Sequence, residues 1–300
     1  MTAEELQTLL REARPPVLLD VLPPESFAKR HLPGARNACV YETVFLGTLA
    51  TLVPAKDTPL VVYGLGSDRL AAPTAREKLE AAGYSDVRVF RGGIDEWQRS
   101  GLPLEGDSEA PEPLTVGALS GTFALDPTRS VIFWTGRNLF NHHHGSVRLA
   151  EGTFQVSEGN FTAADFAVDV KSIACSDLVD PGYNSLLLGH LASNDFFDTA
   201  HHPTAVFHAT SVEAIDDAPL GSPNYRLRGD LTLRGATHPL EFVAVCTVNE
   251  AGEFVAQAEI DLDRTTWGSL YGSGRFFEAL GKHVVNDLVH LHIVLVAVKR

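Results

Sequence analysis

The feature that most constrains this chain is a change in hydrophobic periodicity near residue 110. Before residue 105, short continuous apolar runs alternate with helical patterns, whereas after residue 113 apolar and polar residues alternate one by one. The segment between them, Glu105-Gly-Asp-Ser-Glu-Ala-Pro-Glu-Pro113, is acidic, contains proline and glycine, and has no apolar period. A chain of 300 residues is long enough to bury two cores. We therefore predict a first domain over residues 1–106, a linker over 107–113 and a second domain over 114–300.

The first domain is predicted to have an α/β fold with a parallel sheet. Three continuous apolar runs, residues 16–21, 58–63 and 87–90, have the length of buried strands. Residues 75–82 have a helical pattern, and Gly83 follows them where a glycine commonly ends a helix. Strands that alternate with helices along the chain indicate a parallel sheet.

The second domain is predicted to be an all-β antiparallel barrel. Clean alternation over residues 225–234 and 254–262 is typical of half-buried antiparallel strands. Glu158-Gly-Asn160 supplies a hairpin turn between two such patterns. We expect about eight strands, enough to close a barrel around one small ligand. Residues 180–202 and 268–286 are too long for hairpin turns, and we expect long ordered loops there.

The charge of the chain is strongly negative and unevenly distributed. Residues 1–106 carry 12 basic and 14 acidic side chains, so residues 107–300 account for −12 of the net charge of −14. This acidity repels nucleic acid and anionic membranes and disfavours both as partners, and we predict no binding of nucleic acid. No apolar run reaches the roughly 20 residues of a transmembrane helix, and the acidic N-terminus does not resemble an export signal. We therefore predict a cytoplasmic protein without stable membrane insertion, whose Cys39, Cys175 and Cys246 are reduced thiols.

Several motifs of the first domain, taken in order, resemble the rhodanese-like family. They are Leu18-Leu-Asp-Val21, His31-Leu-Pro-Gly-Ala35, Val61-Val-Tyr63, Gly92-Gly-Ile-Asp-Glu-Trp97 and Gly101-Leu-Pro-Leu104. The resemblance implies a domain in which a cysteine follows a central strand, opens a tight loop and accepts a sulfane sulfur as its thiolate.

The loop that would carry this cysteine lacks a nucleophile. Glycine stands at the cysteine position, and the loop reads Gly64, Leu65, Gly66, Ser67, Asp68 and Arg69. No base lies near Ser67 in sequence to activate its hydroxyl. The carboxylate of Asp68 places negative charge in the loop and weakens an anion site. We predict a domain that is inactive as a sulfurtransferase and that binds a protein partner or holds an anion without chemistry.

The second domain resembles the YceI-like family of lipocalin-type barrels. The resemblance rests on His190-Leu-Ala-Ser-Asn-Asp-Phe-Phe-Asp198, on Gly229-Asp-Leu-Thr-Leu-Arg-Gly-Ala-Thr237 and on Asp263-Arg-Thr-Thr-Trp267. It implies a barrel that encloses the apolar tail of an isoprenoid or another lipid and holds a polar head at its mouth. The ligand-binding residues that we expect are Trp134, His143, His144, His190, Phe196, Phe197, Arg264, Trp267, Tyr271, Phe276 and Phe277.

The histidines of the second domain are candidates for a metal site. Imidazoles at 142–144, His190, His201 and His202 suit zinc, copper or nickel. Neighbouring residues of a strand point to opposite faces, however, so the side chains of residues 142–144 cannot all reach one ion. We predict no metal and no cofactor, and we expect His144 and His190 to be neutral hydrogen-bonding groups near the mouth.

Together these patterns predict a cytoplasmic protein that binds a lipid, an isoprenoid, or a quinone or fatty-amide amphiphile. A protein partner of the rhodanese-like domain and a homodimer both stay open. The alternative is an enzyme: a sulfurtransferase that uses another thiol, such as Cys39, or a metal-dependent activity at the histidines of the barrel mouth. No nucleophile elbow or phosphate-binding glycine motif supports an enzyme, so we favour binding.

Overall fold

A computed structural model of the chain describes residues 1–107, 119–249 and 251–300. It divides into two compact units, Met1–Glu112 and Pro113–Arg300. The predicted linker over 107–113 lies outside the described residues except for Asp107, and so do residues 114–118 of the predicted second domain. Within the described residues, no helix combines the length and the apolar character needed to cross a membrane.

The first unit contains a four-stranded sheet flanked by helices. Its elements are α1 (Ala3–Leu10), β1 (Val17–Asp20), α2 (Pro24–Lys29), β2 (Arg36–Asn37), α3 (Phe45–Leu52), β3 (Leu60–Tyr63), α4 (Ala71–Ala81), β4 (Val87–Phe90) and α5 (Gly93–Arg99). The strand order is β2-β1-β3-β4, and each neighbouring pair is parallel. All four residues of β3 are buried, as its continuous apolar sequence requires. The predicted parallel α/β fold is confirmed.

The helix that follows the central strand begins earlier than the sequence pattern indicates. We expected it over residues 75–82, but α4 begins at Ala71 and includes Pro73. Proline is tolerated there because the first backbone N–H groups of a helix have no partner within the helix. Gly83 follows the helix with a φ of +91°, the left-handed conformation expected at that end.

The second unit is a closed antiparallel barrel. Its elements are β5 (Gly121–Leu125), β6 (Val131–Arg137), β7 (His142–Ser157), β8 (Asn160–Cys175), α6 (Pro181–Ala192), β9 (Thr204–Ala214), β10 (Tyr225–Leu233), β11 (Ala236–Val248), β12 (Phe254–Asp263) and β13 (Leu288–Lys299). Pairing of β12 with β13 closes the sheet. Because β5 and β6 both pair with β7 and β13, they share one position, and the barrel has the predicted eight strands.

Aromatic side chains fill the end of the barrel where the β7–β8 hairpin turns. The ring of Phe254 lies 4.9 Å from that of Phe161 and 5.8 Å from that of Phe154. Tyr225 packs edge-on against Phe161 at 5.6 Å. A void of only about 30 Å³ remains among these side chains. This end is therefore solid core, and space for a ligand must lie towards the other end.

The connection over residues 180–202 is helical for half its length, so our expectation of a long loop was wrong there. The helix α6 begins after Asp180, whose side chain accepts hydrogen bonds from the N–H groups of Gly182 (2.8 Å) and Tyr183 (3.0 Å). Pro181 occupies the first position of the helix, where its fixed φ is favourable. The other long connection, over 268–286, contains only a short 3₁₀ turn, Gly281–His283.

Candidate functional site

The barrel encloses a cavity of about 340 Å³ between the aromatic core and the end where β6 leads into β7. Binding sites for small molecules occupy roughly 300 to 1,000 Å³, so the volume suits a ligand. Pairs of inward side chains two residues apart form its wall, as the alternation along a strand requires. They include Val168 and Val170, Leu231 and Leu233, Ile260 and Leu262, and Leu291 and Ile293.

Polar side chains line the cavity at its outer end. The end of β6, the start of β7 and the turn between them contribute Arg137, Asn138, Asn141 and His142. The segment before β13 contributes Asn286. The backbone N–H of Asn286 donates to the carbonyl of Arg137 at 2.8 Å, which holds the two segments together. The guanidinium of Arg137 is exposed and makes no hydrogen bond or ion pair with any described residue. The cavity thus joins an apolar interior to a polar end that carries the Arg137 guanidinium.

Seven of the eleven expected ligand-binding residues line this cavity. They are Trp134, His143, His190, Phe196, Phe197, Arg264 and Tyr271. The other four do not line it: the His144 side chain is exposed on the barrel, Phe276 and Phe277 are half exposed, and the Trp267 indole donates to the carbonyl of Leu231 in the core.

His190, near the end of α6, packs against two aromatic side chains. Its imidazole packs edge-on against Phe196 at 4.9 Å and against Tyr271 at 4.6 Å. Its Nε2 lies 3.0 Å from a carboxylate oxygen of Asp195. The side chain therefore lines the cavity and already has a polar partner.

Arg264 lines the cavity but uses its donors on the backbone. The guanidinium is fully buried and donates to the carbonyls of Asn286 (3.0 Å), Tyr271 (2.8 Å) and Val285 (3.1 Å), and also to that of Ser269. Burial lowers the pKa of Arg264, and the nearby carboxylates oppose that shift. Its geometry makes it a clamp for the mouth loop, and the expected contact of this residue with a ligand head stays a prediction.

The histidines that we considered as metal ligands from the sequence do not come together around one metal position. His190 pairs with Asp195, and His201 pairs with Asp198 at 2.8 Å. Among the described residues, three groups of the kind that bind metal do lie close together: the imidazole of His143, the thiol of Cys175 and the carboxylate of Asp177.

Comparison with known proteins assigns both units. A model of the YceI-like domain matches residues 123–297, and a model of the rhodanese-like domain matches residues 2–100. The chain belongs to the YceI-like family. It carries a rhodanese-like domain at its N-terminal end, as the sequence motifs predict.

Individual relatives are similar to part of the chain. A UPF0312 protein of Pseudomonas putida is 32% identical over 118 residues, which are 37% of this chain and 55% of that protein. Protein YceI of Escherichia coli is 30% identical over 144 residues, 48% of this chain and 61% of that protein. The chain thus spans a little over half the length of these relatives. Among solved structures, BcnA of Burkholderia cenocepacia is 21% identical to this chain. The match covers 58% of this chain and 99% of BcnA, with a TM-score of 0.45.

The loop of the rhodanese-like domain that begins at Gly64 packs against α5 through its backbone. Gly64 follows β3 directly, and its carbonyl accepts from the N–H of Ile94 at 3.0 Å. The carbonyl of Leu65 accepts from the N–H of Asp95 at 2.9 Å. The Asp95 carboxylate lies against Gly66, where a side chain would collide with it. The first turn of α5 therefore faces carbonyl oxygens of the loop and places its own Asp95 carboxylate beside Gly66, which disfavours an anion at that point.

Proposed function

We propose that the YceI-like domain binds an amphiphile with a long apolar tail, such as an isoprenoid, a quinone or a fatty amide. The observation that carries the proposal is the cavity of about 340 Å³, apolar along its length and polar only at its outer end. The resemblance to lipocalin-type carriers points to the same class of ligand. We propose that the head lies near Arg137 and Asn141 and that the tail extends towards Phe207 and Phe242.

The binding energy of such a ligand is sufficient for a carrier. Burying about 400 Å² of apolar surface at about 25 cal/mol per Å² contributes on the order of 10 kcal/mol. Part of this is lost to the cost of association. A net value of about −8 kcal/mol corresponds to a dissociation constant of about 1 μM. We therefore expect micromolar or tighter binding.

A fluorescence titration tests the proposal on the full chain. Trp134 lines the cavity whereas Trp267 is in the core, so a quinone should quench Trp134 first, and a prenol or fatty amide should shift the emission of Trp134. We expect Trp134→Phe to lose most of the signal change and Trp267→Phe to retain it. No binding below about 100 μM by any of these amphiphiles, or by lipid extract, would contradict the carrier function.

A matched pair of variants locates the bound tail. Ala205 lies on β9 in the cavity wall, and Ala214 lies on the same strand but is exposed. Ala205→Phe should occupy the cavity and weaken binding at least about tenfold, a loss of about 1.4 kcal/mol. Ala214→Phe should leave binding unchanged. Equal affinity of the two variants would place the ligand elsewhere.

For the rhodanese-like domain we propose a non-catalytic role, with contact to a protein partner favoured over anion binding. The support is the glycine at position 64 and the oxygen atoms that face the first turn of α5. We expect no thiosulfate- or mercaptopyruvate-dependent transfer of sulfur to cyanide above a control without enzyme. A rate that Cys39→Ser abolishes would overturn this. The cytoplasmic location stays a prediction, to be tested by cell fractionation.

A further inference from the structure

A thiol, an imidazole and a carboxylate converge beside the mouth of the barrel. Cys175 ends β8, Asp177 lies in the turn that follows, and His143 is the second residue of β7. The Nδ1 of His143 lies 2.8 Å from Oδ2 of Asp177, and the Sγ of Cys175 lies 3.2 Å from Oδ1. The three donor atoms all lie within 4.8 Å of one another.

This donor set matches the requirements of a zinc-class ion. Zinc binds sulfur at about 2.3 Å and nitrogen or oxygen at about 2.0 to 2.2 Å, so donors around a tetrahedral ion lie roughly 3.3 to 3.7 Å apart. Small rotations of the three side chains would bring the atoms to these separations, since no two of them are more than 4.8 Å apart. We propose that His143, Cys175 and Asp177 bind a divalent zinc-class metal ion. Three protein ligands leave one position for water or for a ligand oxygen.

The surroundings hold these side chains in place, as outer hydrogen bonds do around metal ligands. The Asp177 carboxylate accepts from the backbone N–H of His144 at 2.8 Å. The side-chain amide of Asn184 donates to the carbonyls of Cys175 and Leu178, each at 3.0 Å, and so fixes the turn that carries two of the three donors. The site is therefore built from β7, from the end of β8 and from α6.

The thiol distinguishes this group from the other histidine–aspartate pairs of the domain. His290 lies 3.0 Å from Asp261 on neighbouring strands, in a pair similar to that of His143 and Asp177, but no third donor from the described part of the chain joins it. Cys39 and Cys246 are buried, whereas Cys175 is partly exposed and can be reached from solvent. A pair that only links two strands has no use for a thiol, whereas a thiolate is a preferred ligand of zinc.

The proposal replaces the sequence-based expectation that the chain binds no metal, and it does not depend on lipid binding. From the sequence we considered only histidines as metal ligands, within residues 142–144 and 190–202. Neither Cys175 nor Asp177 was a candidate. Since His143 also lines the ligand cavity, the ion would lie at the edge of the mouth.

Cobalt titration of the chelator-treated full chain tests the site. Cobalt should bind one ion per chain with a near-ultraviolet band of thiolate-to-metal charge transfer, and zinc should remove that band. Cys175→Ser should abolish the band, and His143→Ala should raise the dissociation constant at least about tenfold. His290→Ala, the matched control, should behave like the unchanged protein. Absence of the band, or a band that persists in Cys175→Ser, would overturn the proposal.

Thiol protection gives a second readout that does not depend on the folding of a cysteine variant. Iodoacetamide should alkylate Cys175 faster than the two buried cysteines, and mass spectrometry assigns the modified site. One equivalent of zinc should slow this alkylation, and His143→Ala should cancel the protection while His290→Ala keeps it. Zinc that leaves the alkylation of Cys175 unchanged in the native chain would show that no metal binds there.

Discussion

Arg264 has the largest fully buried side chain among the described residues, and its guanidinium contacts backbone oxygens of the mouth loop. Removing a buried charged donor leaves those carbonyls without partners. We expect Arg264→Ala to lower the free energy of unfolding by about 3 to 5 kcal/mol. Arg275→Ala removes an exposed ion pair with Asp263 and Asp287 and should cost about 1 kcal/mol or less. Urea unfolding followed by tryptophan fluorescence compares the two, and equal losses would contradict the clamp.

Asp20 is a buried carboxyl group at the end of β1 in the rhodanese-like domain. Burial raises its pKa from 3.8 to about 6, although the N–H of Leu22 donates to it at 2.8 Å. The folded state thus holds the proton more tightly than the unfolded state. The protonated carboxyl group therefore adds to the free energy of unfolding below pH 3.8. This contribution, about 3 kcal/mol, is lost as the pH rises through about 6.

The variant Asp20→Asn removes this titration and should abolish that part of the pH dependence. We expect its stability relative to the unchanged protein to rise between pH 4 and pH 7. This difference can be measured by hydrogen exchange of peptides from β3, with both proteins compared at each pH. The intrinsic exchange rates cancel because they are the same in the two proteins at a given pH. A difference that stays constant with pH would show that Asp20 titrates normally.

At the scale of elements, α6 is the part of the YceI-like domain that covers the cavity from outside the sheet. Leu187, His190 and Leu191 of this helix line the cavity. Asp180→Ala removes the two cap hydrogen bonds and should cost the helix about 1 kcal/mol. Amide exchange in α6 should then accelerate about fivefold, and bound amphiphile should leave faster. Asp216→Ala, which removes an equal charge from an exposed loop, should change neither rate.

At the scale of the whole molecule, each unit has a core of its own. The first buries Phe45, Leu49 and Val62 together, and the second buries Phe154, Phe207 and Phe254 among many others. We expect residues 1–107 and residues 114–300 to fold separately, each with a cooperative thermal transition followed by circular dichroism. A fragment that melts without cooperativity would show that it depends on the other.

Much of the architecture follows from local sequence. Continuous and alternating apolar patterns specify a parallel sheet and then a barrel, because the period of a strand is a property of neighbouring residues. The position of Gly64 after β3 is equally local. The helix α6 was missed because its sequence, with one proline and two glycines, has no clear apolar face. The pair Asp180-Pro181, a capping residue followed by proline at the first position, is the signal that could have revealed it.

The composition of the site was decided by the tertiary structure. Continuing the β7–β8 hairpin register from Ser157 and Asn160 would set residue 142 opposite Cys175, but three irregularities place Gly145 there instead. That shift brings His143 beside Asp177. Likewise Trp134 lines the cavity while Trp267 packs in the core, a difference that depends on long-range packing. The sequence by itself determined which residues form strands, whereas the pairing of distant strands determined which side chains meet, because register and bulges are fixed by contacts between strands and not along them.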